Sequence, residues 1–182
     1  MKRHKTILSL FLVFVFVVLY CICTVSRVYE GQTIVTELDG EEIEFTVIRK
    51  PNNYEIQVMD AARRFVKELS GISFPDNYDN IYWVEGLDNG INGLNHKRGY
   101  KTWIFLDKDI FPLNVNSSFS MMNFGATISH ESDHYFNESD DPETYYIDKK
   151  INKAYNNCED LDGAMEKSGI NLLTNRELYL IK

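Results

Sequence analysis

The apolar positions begin as one unbroken run. From Ile7 to Val25 the chain reads ILSLFLVFVFVVLYCICTV without a charge. At about 1.5 Å of helical rise per residue, this predicts a single membrane-spanning helix. Lys2, Arg3 and Lys5 stand in front of it. They orient the amino terminus to the cytoplasm and the rest of the chain outside, periplasmic or extracellular. No A-x-A-like site closes the run, which favours an uncleaved anchor over a removed signal peptide and a secreted product. Lipid attachment at Cys21 or Cys23 is a further, weaker option.

Beyond a tether over 26–32 the pattern changes. TIVTELDGEEIEFTVIRK places two β-rich runs around Asp39-Gly40, predicting a hairpin with strands near 33–38 and 42–49. Ile56, Met59, Ala62, Val66 and Leu69 then recur at three- and four-residue spacing between an asparagine pair and Gly71, which predicts a capped amphipathic helix. Short apolar runs at Ile81 to Val84 and Thr102 to Leu106 predict strands, with Trp83 and Trp103 in the core. The segment between them, GLDNGINGLNHKRG, reads as a loop by composition, with His96 on the surface. A helical pattern returns from Ser117 to about Phe136, capped by Asn116, Ser117 or Ser118. Asp141-Pro142 predicts an N-cap and first position for another helix reaching about Asn157. The tail from Ser168 to Lys182 is open to either a short strand or a helix. Residues 1–25 thus form an anchor or signal, 26–32 a tether, and 33–182 one α+β domain with a mixed sheet.

Charge narrows the partners. The chain carries 19 basic and 27 acidic residues, a net −8, and setting aside Lys2, Arg3 and Lys5 leaves the remainder more acidic still. Such a surface disfavours nucleic-acid binding through a basic patch. Two of the three cysteines lie in the apolar run, so Cys158 stands alone and no disulfide can form within the domain.

The candidate chemistry is HESDH at 130–134. Residues four apart on a helix share a face, so His130 and His134 can direct two imidazole nitrogens at one metal ion. Glu131 is placed to take a proton from a metal-activated water. On the next helix Glu143 heads a stripe with Ile147, Ile151 and Ala154. A buried carboxylate is costly unless paired or metal-bound, so an inward Glu143 fits a third ligand, whereas a first-turn acid at the helix dipole is the plainer reading. Asp148, beside Lys149 and Lys150, reads as solvated.

With these residues in place, the stretch from about Thr102 to Asn157 resembles the zincin metallopeptidases, whose motif helix carries two histidine ligands and a glutamate base. The resemblance implies a small zincin-like domain in which two helices carry a zinc site. It implies His130 and His134 as ligands, Glu131 as general base and Glu143 as third ligand. Tyr146 would hydrogen-bond a developing oxyanion. Read instead as the extended motif of another zincin branch, HESDHYFNESD puts Asn137 at a glycine position and Asp140 at the last ligand. Asp133 departs from the family, which generally has an uncharged residue there.

The expected function is zinc-dependent hydrolysis of peptide bonds in a peptide or protein substrate by a membrane-anchored enzyme, with the strand near Thr102 to Leu106 bordering the cleft. The alternatives are a non-enzymatic tethered binding module, with His130 and His134 as ordinary helix histidines, and a degenerate zincin lacking its third ligand.

Overall fold

The computed structural model describes residues 11–17, 27–38, 40–87, 90–98, 101–139 and 141–173; the side chains of 98, 141–143 and 172 lie outside that description. The elements are α1 (residues 11–17), β1 (Thr33–Leu38), β2 (Glu41–Arg49), α2 (Asn53–Ser70), β3 (Ile81–Glu85), β4 (Gly93–Arg98), β5 (Lys101–Asp107), α3 (Ser118–Asn137), α4 (Asp141–Asn156) and α5 (Leu161–Lys167).

Five strands form one mixed sheet in the order β1-β2-β3-β5-β4. β3 and β5 run parallel, and every other pair is antiparallel. Period-two alternation sends successive side chains of a strand to opposite faces. Ile81, Trp83, Ile104 and Leu106 therefore enter the core beneath the helices. Val84, Trp103 and Phe105 enter a second core with Phe45, Val47 and Leu94. The sheet curls around this second core, since Thr36 on one edge strand hydrogen-bonds His96 on the other (3.4 Å).

α2 owes its ends to local chemistry. The Asn52 side chain accepts from the backbone N–H groups of Tyr54 and Glu55, while Glu55 accepts from that of Asn52. Gly71 closes the helix at φ 75°, a conformation glycine adopts without a Cβ clash. Glu55 is 2% exposed and has two further donors, Arg49 in a two-pronged pair at 2.8 Å each and the Trp83 indole at 3.1 Å. Burial pushes its carboxyl up, but the hydrogen bonds from Arg49, Asn52 and Trp83 outweigh that and hold it below the ordinary carboxylate range.

α3 begins at Ser117, whose hydroxyl accepts from Ser120 N–H, and it is buried along most of its length. Gly125 is required where α3 crosses α2, because a Cβ there would lie 2.5 Å from the Ala62 carbonyl oxygen. The buried hydroxyls of Ser129 and Ser132 donate back to the Gly125 and Ile128 carbonyls.

Several expectations are corrected. Among the described residues no helix is long and apolar enough to cross a membrane. This overturns the transmembrane helix over 7–25 and, with it, the single-pass placement with the domain outside the cytoplasm. α1 covers 11–17, about 10 Å at the usual rise against a hydrocarbon core of about 30 Å, and the rest of that run lies outside the described residues. The segment expected as a loop contains β4, the edge strand. β5 is an inner strand between β3 and β4, and of its residues Thr102 lines the cleft described below. The tail begins as a 3-10 turn at Ile170–Leu172, and 174–182 lie outside the described residues.

Candidate functional site

β4 and α3 face each other across a cleft of about 1360 Å³. Along β4, Leu94 and His96 turn to the second core and Gly93, Asn95 and Lys97 turn to α3. The Asn95 amide donates to the Glu131 carbonyl at 3.3 Å, and Lys97 pairs with Glu138 at 2.9 Å. Gly93 is the point of closest approach: a Cβ there would lie 2.8 Å from Glu131 Cγ and 2.9 Å from Oε1. Glycine is what lets the Glu131 carboxylate, 5% exposed, lie directly against the strand.

His130, Glu131 and His134 all line this cleft. The two imidazoles meet edge to face with centroids 4.9 Å apart and Nε2 atoms 3.2 Å apart. Their Nδ1 atoms are held from behind. His130 Nδ1 lies 2.9 Å from Asp148 Oδ2, and His134 Nδ1 lies 2.8 Å from the Ser139 carbonyl oxygen. A carbonyl or an ionised carboxylate only accepts, so each neutral ring carries its hydrogen on Nδ1 and turns an Nε2 lone pair toward the other ring. With both hydrogens on Nδ1, the two Nε2 lone pairs are arranged to accept a proton or a metal ion between them.

The turn after α3 makes this geometry possible. Glu138 takes the left-handed conformation (φ 53°), uncommon for a residue with a side chain, and the reversal brings the Ser139 carbonyl to His134. Thr144 of α4 is fully buried and reaches both His134 Nδ1 and Asp133 Oδ2 at 3.4 Å. Asp133 is itself buried and accepts from the Asn137 amide at 2.6 Å. The charge that sets this motif apart from the zincin pattern is thus absorbed between α3 and α4.

The structure brings together three of the sequence-derived site residues, His130, Glu131 and His134. Tyr146 is 68% exposed and outside the cleft lining, whereas its neighbour Tyr145 lines the cleft with its ring 5.9 Å from that of His130. Glu143 falls in the first turn of α4, with its side chain outside the described residues, and Asp140 lies outside them altogether. Among the described residues no group of three or more His, Cys, Asp or Glu side chains is gathered to hold a metal ion. The expectation of a three-ligand metal-binding group is corrected accordingly, since the described part of the site holds two histidines.

Sequence reasoning missed Asp148, Ser139, Gly93 and Tyr145. For Asp148 a signal was present: it follows Thr144 by four and precedes Ile151 by three, which sets it on the buried side of α4 and away from the neighbouring lysines. No family model, curated protein or solved structure matches the chain.

Proposed function

We propose that this protein is a zinc-dependent peptidase and that the β4–α3 cleft is its active site. The observation that supports the reading best is the pair of converging imidazole Nε2 atoms, 3.2 Å apart, with both Nδ1 atoms bound to acceptors behind them. Adjacent nitrogen ligands of a tetrahedral zinc ion, each at about 2.0–2.1 Å, are about 3.3 Å apart, and acceptors behind the rings are the usual supports of ligating histidines. The two histidines fit two adjacent positions of the ion's ligand shell.

Zinc bound there would lower the pKa of a water to about 7 and polarise a substrate carbonyl. Glu131 takes the proton of the attacking water and returns it to the leaving amine, since it is the carboxylate of the motif that lines the cleft. Asp148 and the Ser139 carbonyl hold the rings with their Nε2 atoms toward the cleft. β4, an edge strand, offers backbone groups to an extended peptide, which would give affinity with little sequence preference.

The test is elemental analysis of the protein beside its His134→Ala, His130→Ala and Glu131→Gln variants, with digestion of a fluorescein-labelled unfolded protein as the activity readout. The expected result is about one zinc per chain, lost in the first two variants and kept without activity in the third. Retained digestion by Glu131→Gln would sink the mechanism. Zinc without hydrolysis in the parent chain would favour the degenerate site, and no zinc after incubation with the metal would favour the binding module.

A further inference from the structure

The cleft extends well past the two histidines. Its volume of about 1360 Å³ exceeds the roughly 300–1,000 Å³ usual for small-molecule pockets. α3 carries His130 in the cleft and, about three turns earlier, Phe119, roughly 16 Å away along the axis. Phe119 is 60% exposed and Leu113 is 70% exposed, and both line this same cleft. A single exposed apolar side chain on a convex surface needs no explanation. Two in one concavity, alongside the buried rings of Phe111 and Phe124, form an apolar wall.

The charge of the cleft is one-sided. Glu41 and Glu42 line it from β2 and are exposed. Glu42 sits directly opposite Glu37 across the hairpin, a like-charge pair that costs stability. Among the described lining residues Lys97 is the only lysine or arginine, and it is already paired with Glu138.

Building on the peptidase reading above, we propose that the cleft selects an extended, cationic polypeptide segment and seats one of its apolar side chains against Leu113 and Phe119. An extended chain advances about 3.3 Å per residue, so this side chain stands about five residues from the bond that is cut. That reach suits substrates several residues long and not dipeptides. Glu41 and Glu42 supply the attraction for flanking lysine or arginine, and the apolar wall supplies the register.

The full chain is offered two labelled peptides of equal length. One bears lysines and a leucine about five residues from a central cleavable bond, and the other bears glutamates and a serine at those positions. Hydrolysis is followed by mass spectrometry and binding by fluorescence anisotropy. The expected preference in kcat/KM for the first peptide is on the order of tenfold or more. It shrinks toward unity in Phe119→Ser with leucine as the only difference, and in Glu41→Lys/Glu42→Lys with charge as the only difference. Rising salt weakens the charge preference alone. All three positions are exposed, and circular dichroism checks that the variants fold. Equal cleavage of both peptides would overturn this inference and leave the peptidase standing. Selective binding without cleavage would overturn the peptidase and uphold the cleft's selectivity, and neither binding nor cleavage would overturn both.

Discussion

Glu55 and Glu131 are both glutamates on helices, both nearly stripped of solvent, and they stand in different surroundings. Glu55 starts α2 with its carboxylate held by Arg49, the Asn52 N–H and the Trp83 indole. Glu131 sits late in α3 beneath Gly93, on the wall of an open cleft and beside two histidines whose ring nitrogens converge. Burial alone therefore does not mark a carboxylate as functional. A carboxylate closed in by strong donors stabilises the fold, while one at a cleft wall beside groups of matching chemistry is a candidate for proton transfer.

The largest effect expected from this contrast is on turnover. Glu131→Gln keeps shape and volume but cannot accept a proton, so hydrolysis of an unfolded protein falls by about 10²–10⁴-fold, with little change in thermal unfolding. A loss of folding with no specific loss of rate would make Glu131 the equal of Glu55. Glu55→Ala should act the other way. It removes a helix cap and leaves Arg49 without its partner, costing about 3 kcal/mol in urea unfolding, while the rate per folded molecule holds.

The same contrast predicts a pH dependence. The Glu55 carboxyl is lowered in the folded chain, so its contribution is complete above the unfolded value of about 4.3. It is lost as the pH falls through the lower folded value. Urea midpoints measured from neutral to acid pH should drop in that acid range, and Glu55→Gln should flatten the drop.

Gly93→Ala tests the strand side of the site. The new methyl would meet Glu131 at 2.8–2.9 Å, so the carboxylate must shift, with an expected rate loss on the order of tenfold and a stability loss of about 1–2 kcal/mol. Comparing that loss in the Glu131→Gln background separates the two, because a purely structural clash would persist there. The smallest effect belongs to Glu138→Gly, which relieves the left-handed backbone and should raise the urea midpoint slightly. A decrease would mean that the Lys97 pair outweighs the backbone strain.

Local order was legible where the pattern is short-ranged. The β1–β2 hairpin and the capped α2 follow from turn chemistry and side-chain periodicity, and α3 and α4 follow from caps and spacing. β4 was not legible. Its segment is rich in glycine and asparagine because one face packs against α3, where Gly93 must make room for Glu131 and Asn95 bonds its backbone, leaving Leu94 as the one aliphatic core contact. Its strand geometry comes from pairing with β5. Tyr145 was passed over for Tyr146 because adjacent residues on a helix point about 100° apart, and only the docking of α4 decides which of them meets the cleft.

By itself, the sequence determined that His130 and His134 share a helix face, that Glu131 adjoins them, and that the chain is acidic with a single cysteine beyond the first apolar run. Spacing and composition suffice for these. The tertiary structure decided that Asp148 and the Ser139 carbonyl stand behind the imidazoles, that β4 forms most of the strand side of the cleft, and that Asp133 is buried and bonded. Each of those depends on where α4 and the sheet edge pack against α3. Packing between elements distant in the chain is set by the summed burial of many side chains, which no local window of sequence contains.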